Sequence, residues 1–223
     1  MLAVLLTILI GMRVFGRVAH DVISLSRAVD RIRSGDPSVP INIQRRDEVG
    51  DLARNFSAMH TDLFTDRLTG VANRTALDSL LGRLTRDSAG QPFAVLFIDL
   101  NDFKPLNDQY GHDNGDRALV EVAGRLKDSL RADDLLVRLG GDEFVVVAMG
   151  IQSPEALASL KEKLQTRLRA PLQDLVDIPA GHVAYLGAAI GAACWPTDAI
   201  DAETLLKHAD ADMYHHKPSG RRR

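Results

Sequence analysis

The sequence predicts an α+β protein in which a sheet with strands in the order β-α-β-β-α-β is flanked by helices and follows a helical coiled coil. Three observations predict it. Apolar residues recur in steps of three and four through the first part of the chain, short apolar runs alternate with helical stripes beyond Leu63, and two of those runs are joined only by Gly140 and Gly141. At 223 residues and 45% apolar content, the chain is long enough for one full core and a smaller module.

Taking the elements in order, MLAVLLTILIGM is nearly all apolar but meets Arg13 after fewer than the roughly 20 residues a spanning helix needs. It lacks the basic start and the cleavage site of a secretory signal. Residues 1–14 therefore read as the inner end of a truncated transmembrane helix with Arg13 and Arg17 on the cytoplasmic side, or as a coiled-coil terminus that begins apolar. From Phe15, the residues Val18, Val22, Leu25, Val29 and Ile32 follow a heptad seam. SGDPSVPIN, with a Gly and two prolines, ends that helix and forces an extended connector. A second seam follows at Val49, Leu52, Phe56, Met59 and Leu63.

Beyond Leu63, Asn73 caps a helix with Leu77, Leu80, Leu81 and Leu84 on one face. FAVLFIDL, residues 93–100, reads as a buried strand carrying Asp99 to the sheet edge. A helix is expected over 116–131, with Leu119, Val122, Leu126 and Leu130 facing inward. LLVRL and DEFVVVAM form a hairpin around Gly140 and Gly141, where positive φ is favoured, with Asp142 and Glu143 just past the tip. Ser153 and Pro154 open another helix, VAYLGAAIGAACW (183–195) reads as a strand, and Asp201 begins the last helix. This order is a ferredoxin-like topology of the kind polymerase palms use.

Charge and cysteine usage narrow the function. With 27 basic and 30 acidic side chains the net charge is -3, so no chain-wide positive field draws in a polyanion, and nucleic acid is not an expected partner. Cys194 has no second cysteine for a disulfide or a metal pair, which fits a reducing compartment. Three carboxylates, Asp99, Asp142 and Glu143, are expected at one sheet edge. Such like charges need a hard divalent cation, and two of them can activate a hydroxyl and stabilise a departing pyrophosphate. A solvated acidic turn is the alternative for the hairpin tip alone.

Two resemblances sharpen this reading. The paired seams, with Asp47, Glu48, Val49 and Gly50 opening the second helix, resemble a HAMP domain over residues 15–65. In that family, two helices from each of two chains form a parallel four-helix bundle that relays membrane signals; a simple helical stalk is the plainer alternative. Residues 66–223 resemble the GGDEF diguanylate cyclases: the motif stands intact at Gly140 to Phe144, preceded by DRLTGVANR and FIDLNDFKPLNDQYGHDNGD and followed by HADADMYHHKPSGR.

The GGDEF resemblance implies a palm-type nucleotide cyclase domain that condenses two GTP into cyclic dimeric GMP and two pyrophosphates. Asp99, the Leu100 carbonyl, Asp142 and Glu143 would hold two Mg2+ or Mn2+ ions per half-site, with the catalytic base shared jointly by Asp142 and Glu143. Asn107 and Asp116 would select guanine, whose N1-H and N2-H donors adenine lacks. Lys104, Lys217, Arg221 and the backbone amides near Asp102 and Phe103 would hold phosphates. Arg131 and Asp134, five residues and more before the motif, match an inhibitory site for the product. Because one half-site holds one nucleotide, a homodimer through the HAMP-like helices is expected, at the inner membrane with a cytoplasmic catalytic domain, or in the cytoplasm if the first residues do not insert. Departures from the common pattern are Asn101, Val71 with Ala72, and Ala189, none of them a ligand by this mapping. The alternatives are a catalytically silent sensor of GTP or cyclic dimeric GMP and a purely structural dimerisation module. Any sensor would precede Met1, and no EAL-type phosphodiesterase domain is expected after Arg223.

Overall fold

A computed structural model describes residues 1–33, 43, 45–86, 91–177 and 182–217. The chain divides into two compact units, Met1–Phe64 and Thr65–Arg223. In the first, α1 (Leu2–Arg33) is one continuous helix. The apolar terminus and the first heptad stretch are thus a single element rather than a stub and a separate helix. It is long and apolar enough to cross a membrane by length and composition. The connector 34–42 lies outside the described residues. Asp47 caps α2 (Glu48–Phe64), its Oδ1 accepting from Gly50 N at 3.2 Å. Arg45 ties the unit together by donating to Asp21 on α1 at 3.0 Å and to Asp47. Hydrogen bonds from Arg45, against the opposing effect of burial, hold the Asp47 carboxyl down to about 2. Leu25, Ala28 and Ala53 are buried, whereas Leu52, Met59 and Leu63 of the seam are more than half exposed within one chain.

The second unit is a four-stranded sheet in the order β2-β3-β1-β4. Its strands are β1 (Phe93–Asn101), β2 (Leu135–Gly140), β3 (Glu143–Met149) and β4 (Gly187–Trp195). Every neighbouring pair is antiparallel. With helices between β1 and β2 and between β3 and β4, this is the ferredoxin-like βαββαβ order.

Alternation along β1 sends its side chains to two cores. Ala94, Leu96, Ile98 and Leu100 pack in one core with residues of α5 (His112–Lys127) and α6 (Pro154–Leu168). Phe93, Val95 and Phe97 pack in the other with α3 (Arg74–Leu84) and α7 (Ala202–His215). By the same parity Asp99 and Glu143 belong to the α7 face. The caps at Asn73, Ser153 and Asp201 form as expected, each side chain accepting from the amide three residues on.

Three boundaries differ from expectation. The helix expected over 116–131 runs from His112 to Lys127, and a short α4 (Phe103–Tyr110) precedes it. The strand expected from Val183 begins at Gly187, because its partner β1 ends opposite it at Asn101. Leu172 instead bonds Ala184 at 2.9 Å. In the hairpin, Gly140 pairs with Glu143, so Gly141 (φ 53°) and Asp142 make the turn, after a bulge between Arg138 and Gly140. Asp142 is therefore in the tip rather than past it.

Candidate active site

β1 is an inner strand, and its C-terminal end carries the acidic groups. Asp99 lies directly opposite Glu143 on β3, and Leu100 N donates to the Asp142 carbonyl at 3.2 Å. Register thus places the two side chains on one face and Asp142 beside them. Asp99 is only 6% exposed, so it sits inside the sheet end rather than at a solvated edge. Its Oδ2 accepts from Lys217 Nζ, just past the end of α7, at 2.9 Å. A carboxylate this deep needs a counter-charge.

Among the described residues no group of three or more His, Cys, Asp or Glu side chains is gathered closely enough to hold a metal by itself. Mg2+ is commonly held by one or two carboxylates with water and nucleotide phosphates completing the shell. Asp99 with Glu143, beside Asp142 and the Leu100 carbonyl, fits that donor class, and Lys217 supplies positive charge at Asp99.

The hairpin tip is held by a relay that the sequence reading did not single out. Arg138 donates through Nε and Nη2 to the Gly141 carbonyl at 3.0 and 2.9 Å and through Nη1 to Asp66 Oδ1 at 3.0 Å. Thr69 N and Oγ1 donate to the same Asp66 oxygen at 2.9 and 2.6 Å. Burial pushes Asp66 up, but the Thr69 and Arg138 hydrogen bonds outweigh it and hold the carboxyl below its ordinary range. The available signal was DRLTG, whose acid and threonine three residues apart suit a side-chain-capped turn.

Immediately after β1, Asp102 takes a left-handed backbone, φ 64°, and turns the chain into α4. Phe103 and exposed Lys104 occupy the first turn, where amides have no intrahelical acceptor. Further along α4, Asn107 Oδ1 is buried with no hydrogen-bond partner. It rests against Gly115 of α5, where an added Cβ would lie 1.7 Å away. Asp116, the next residue, lines a pocket of about 460 Å3 with Leu68, Asp113, Arg117 and Asp174. An orphaned amide oxygen on α4 and an exposed carboxylate on α5, next in sequence to the glycine that oxygen touches, are both acceptors of the kind N-H donors require.

Arg131 and Asp134 come together elsewhere. Asp134 Oδ2 accepts from Arg131 N at 2.9 Å and Oδ1 from Met149 N at 3.0 Å, at the end of β3 remote from Glu143. Both residues line a second pocket of about 350 Å3, along with Lys127. Asp134 therefore also has a structural use as a turn cap, while Arg131 is exposed. Arg221 lies outside the described residues.

The antiparallel βαββαβ sheet, with Asp99 and Glu143 paired across its two inner strands and a glycine-containing hairpin beside them, defines a ferredoxin-like, palm-type domain. The chain belongs to the GGDEF family: the model described as "Diguanylate cyclase, GGDEF domain" matches residues 63–223, and the HAMP domain model matches residues 13–64. It is similar to the bifunctional diguanylate cyclase/cyclic di-GMP phosphodiesterase MucR of Pseudomonas aeruginosa, with 42% identity over 158 residues, 70% of this chain and 22% of the relative. Similarity to the diguanylate cyclase DgcP of Escherichia coli is 33% over 177 residues, 78% of this chain and 50% of the relative. The chain thus spans half or less of these relatives. Among solved structures, a sensory box/GGDEF family protein from Caulobacter crescentus superposes with a TM-score of 0.62 at 38% identity, covering 70% of this chain and 99% of that one.

Proposed function

We propose that the C-terminal unit condenses two GTP molecules into cyclic dimeric GMP and two pyrophosphates, each ribose 3′-hydroxyl attacking the α-phosphate of the other nucleotide. The observation that carries this reading is the pairing of Asp99 with Glu143 beside the Gly141–Asp142 turn. Asp99, the Leu100 carbonyl, Asp142 and Glu143 would hold two Mg2+ or Mn2+ ions per half-site, which would supply charge stabilisation for the phosphoryl group. The chain's own groups do the rest. Asp142 and Glu143 jointly take the hydroxyl proton. Asn107 Oδ1 and Asp116 accept the guanine donors. Lys104, Lys217, Arg221 and the amides at Asp102 and Phe103 hold the triphosphate.

One half-site holds one nucleotide, so a homodimer is required, and the exposed seam residues Leu52, Met59 and Leu63 provide its contact. Alternative packings of that bundle would change whether the half-sites meet. The apolar α1 anchors the protein in the inner membrane with the cyclase in the cytoplasm. Arg131, with Asp134, binds product as an inhibitor.

The base contact is tested by comparing GTP and ATP turnover in wild type and Asp116→Ala. Removing the acceptor leaves guanine donors without a partner in the bound state, a penalty of about 1–3 kcal/mol, so the substitution should lower the GTP preference by about tenfold. Unchanged discrimination would remove Asp116 from the guanine site.

A further inference from the structure

We propose that Lys217 is a built-in substitute for the divalent ion at Asp99, displaced when metal enters and then passed to the nucleotide phosphates, so that metal and nucleotide load the site cooperatively. This rests on the reading of Asp99 as a metal ligand.

The argument starts with burial. Asp99 carries its charge inside the sheet end, opposite the carboxylate of Glu143. Two acids on one face with no cation would repel, and a buried carboxylate needs a counter-charge. Lys217 supplies it at 2.9 Å, and its side chain keeps 29% of its surface exposed, so it has somewhere to go.

The helix that delivers it is fixed. At Gly191, opposite Phe97 on β1, an added Cβ would lie 1.9 Å from Met213 N and 2.2 Å from Ala209 O, so α7 lies directly on the β4 backbone. Asp212 makes a second fastening: its Oδ2 accepts from Ala192 N on β4 at 2.8 Å and from Lys161 on α6 at 3.2 Å. The His216 and Lys217 amides close the last turn onto Met213 and Tyr214. Lys217 therefore springs from a base packed on the sheet and carries a flexible stem, the combination a movable charge needs.

A divalent ion and an ammonium cannot share one carboxylate oxygen without strong repulsion, so the two exclude each other. Displaced Lys217 is a compact charge with three donors, and the nearest anion of a loaded site is the triphosphate. Metal then assists nucleotide by freeing Lys217, and nucleotide assists metal by holding Lys217 away. Linkage makes the two effects equal.

The test is Mn2+ binding to the full chain in detergent, without nucleotide, followed by electron paramagnetic resonance. Lys217→Met should bind Mn2+ about tenfold more tightly than wild type, the factor a single charge-assisted hydrogen bond carries. Lys217→Arg, whose guanidinium grips a carboxylate with two parallel bonds, should bind it more weakly than wild type and serves if the Met variant does not fold. In the reciprocal measurement, Mn2+ should strengthen 3′-deoxy-GTP binding by a larger factor in wild type than in Lys217→Met. Mn2+ binding that Asp99→Asn abolishes but neither Lys217 variant changes would overturn the substitute role alone. No Mn2+ binding by any form would overturn the metal-site reading and this inference with it.

Discussion

Arg138 and Asp66 are 72 positions apart, and together they hold the turn that presents Asp142. Each occurs in a quotable stretch of sequence, but spacing alone cannot reveal that a turn near the start of the domain clasps a strand near its middle. The nearness of Asp99 and Glu143, by contrast, was legible because a buried strand and a hairpin announce themselves locally, and the two stand directly opposite in the sheet. The Asp66 carboxyl is held below its ordinary range, so its stabilisation is complete above that range and is lost as pH falls through its lower folded value. The stability difference between wild type and Asp66→Asn should therefore be constant above about pH 5 and shrink below about pH 4, read from urea midpoints. A difference independent of pH would mean the contact is not ionic. The orphaned Asn107 oxygen is a different kind of residue-scale fact, because no sequence pattern marks a polar atom left without a partner.

At the scale of elements, periodicity predicted most helices and strands, and misplacements occur where tertiary contacts override local signals. The helix expected from Asp116 begins at His112, so α5 takes in the residues before it. Gly115 is small so that Asn107 can approach, and buried Asn114 exchanges two hydrogen bonds with Val176, at 3.0 and 2.9 Å. The helix stops at Lys127 rather than Arg131 as the Ser129 and Leu130 amides tighten to bonds three residues back, on Leu126 and Lys127, and Ser129 Oγ takes the Arg125 carbonyl at 2.7 Å. Val183 to Leu186 alternate between exposed and buried like a strand, but pairing requires a partner and β1 has ended. The buried stripe of α5 carries the energy: Leu126 is fully buried, and Leu126→Ala should lower the stability of the C-terminal unit by about 2–5 kcal/mol in chemical denaturation. A loss under about 1 kcal/mol would show that the site collapses around the deletion.

The whole molecule joins an apolar α1 and a short second helix to a compact GGDEF-family domain, two units each compact in itself. Composition set the broad limits, and motif order supplied the family. In the proposed dimer, how two half-sites would meet is not legible in a single chain. The central claim is the reaction itself. Purified full chain in detergent, given GTP and Mg2+, should yield cyclic dimeric GMP and two pyrophosphates per product by mass spectrometry. Asp99→Asn, folded but lacking the buried carboxylate, should be slower by on the order of a thousandfold, since metal-assisted stabilisation is worth several kcal/mol. Folded, dimeric wild type that binds GTP and leaves it unconverted, or an Asp99→Asn rate near that of wild type, would contradict the account.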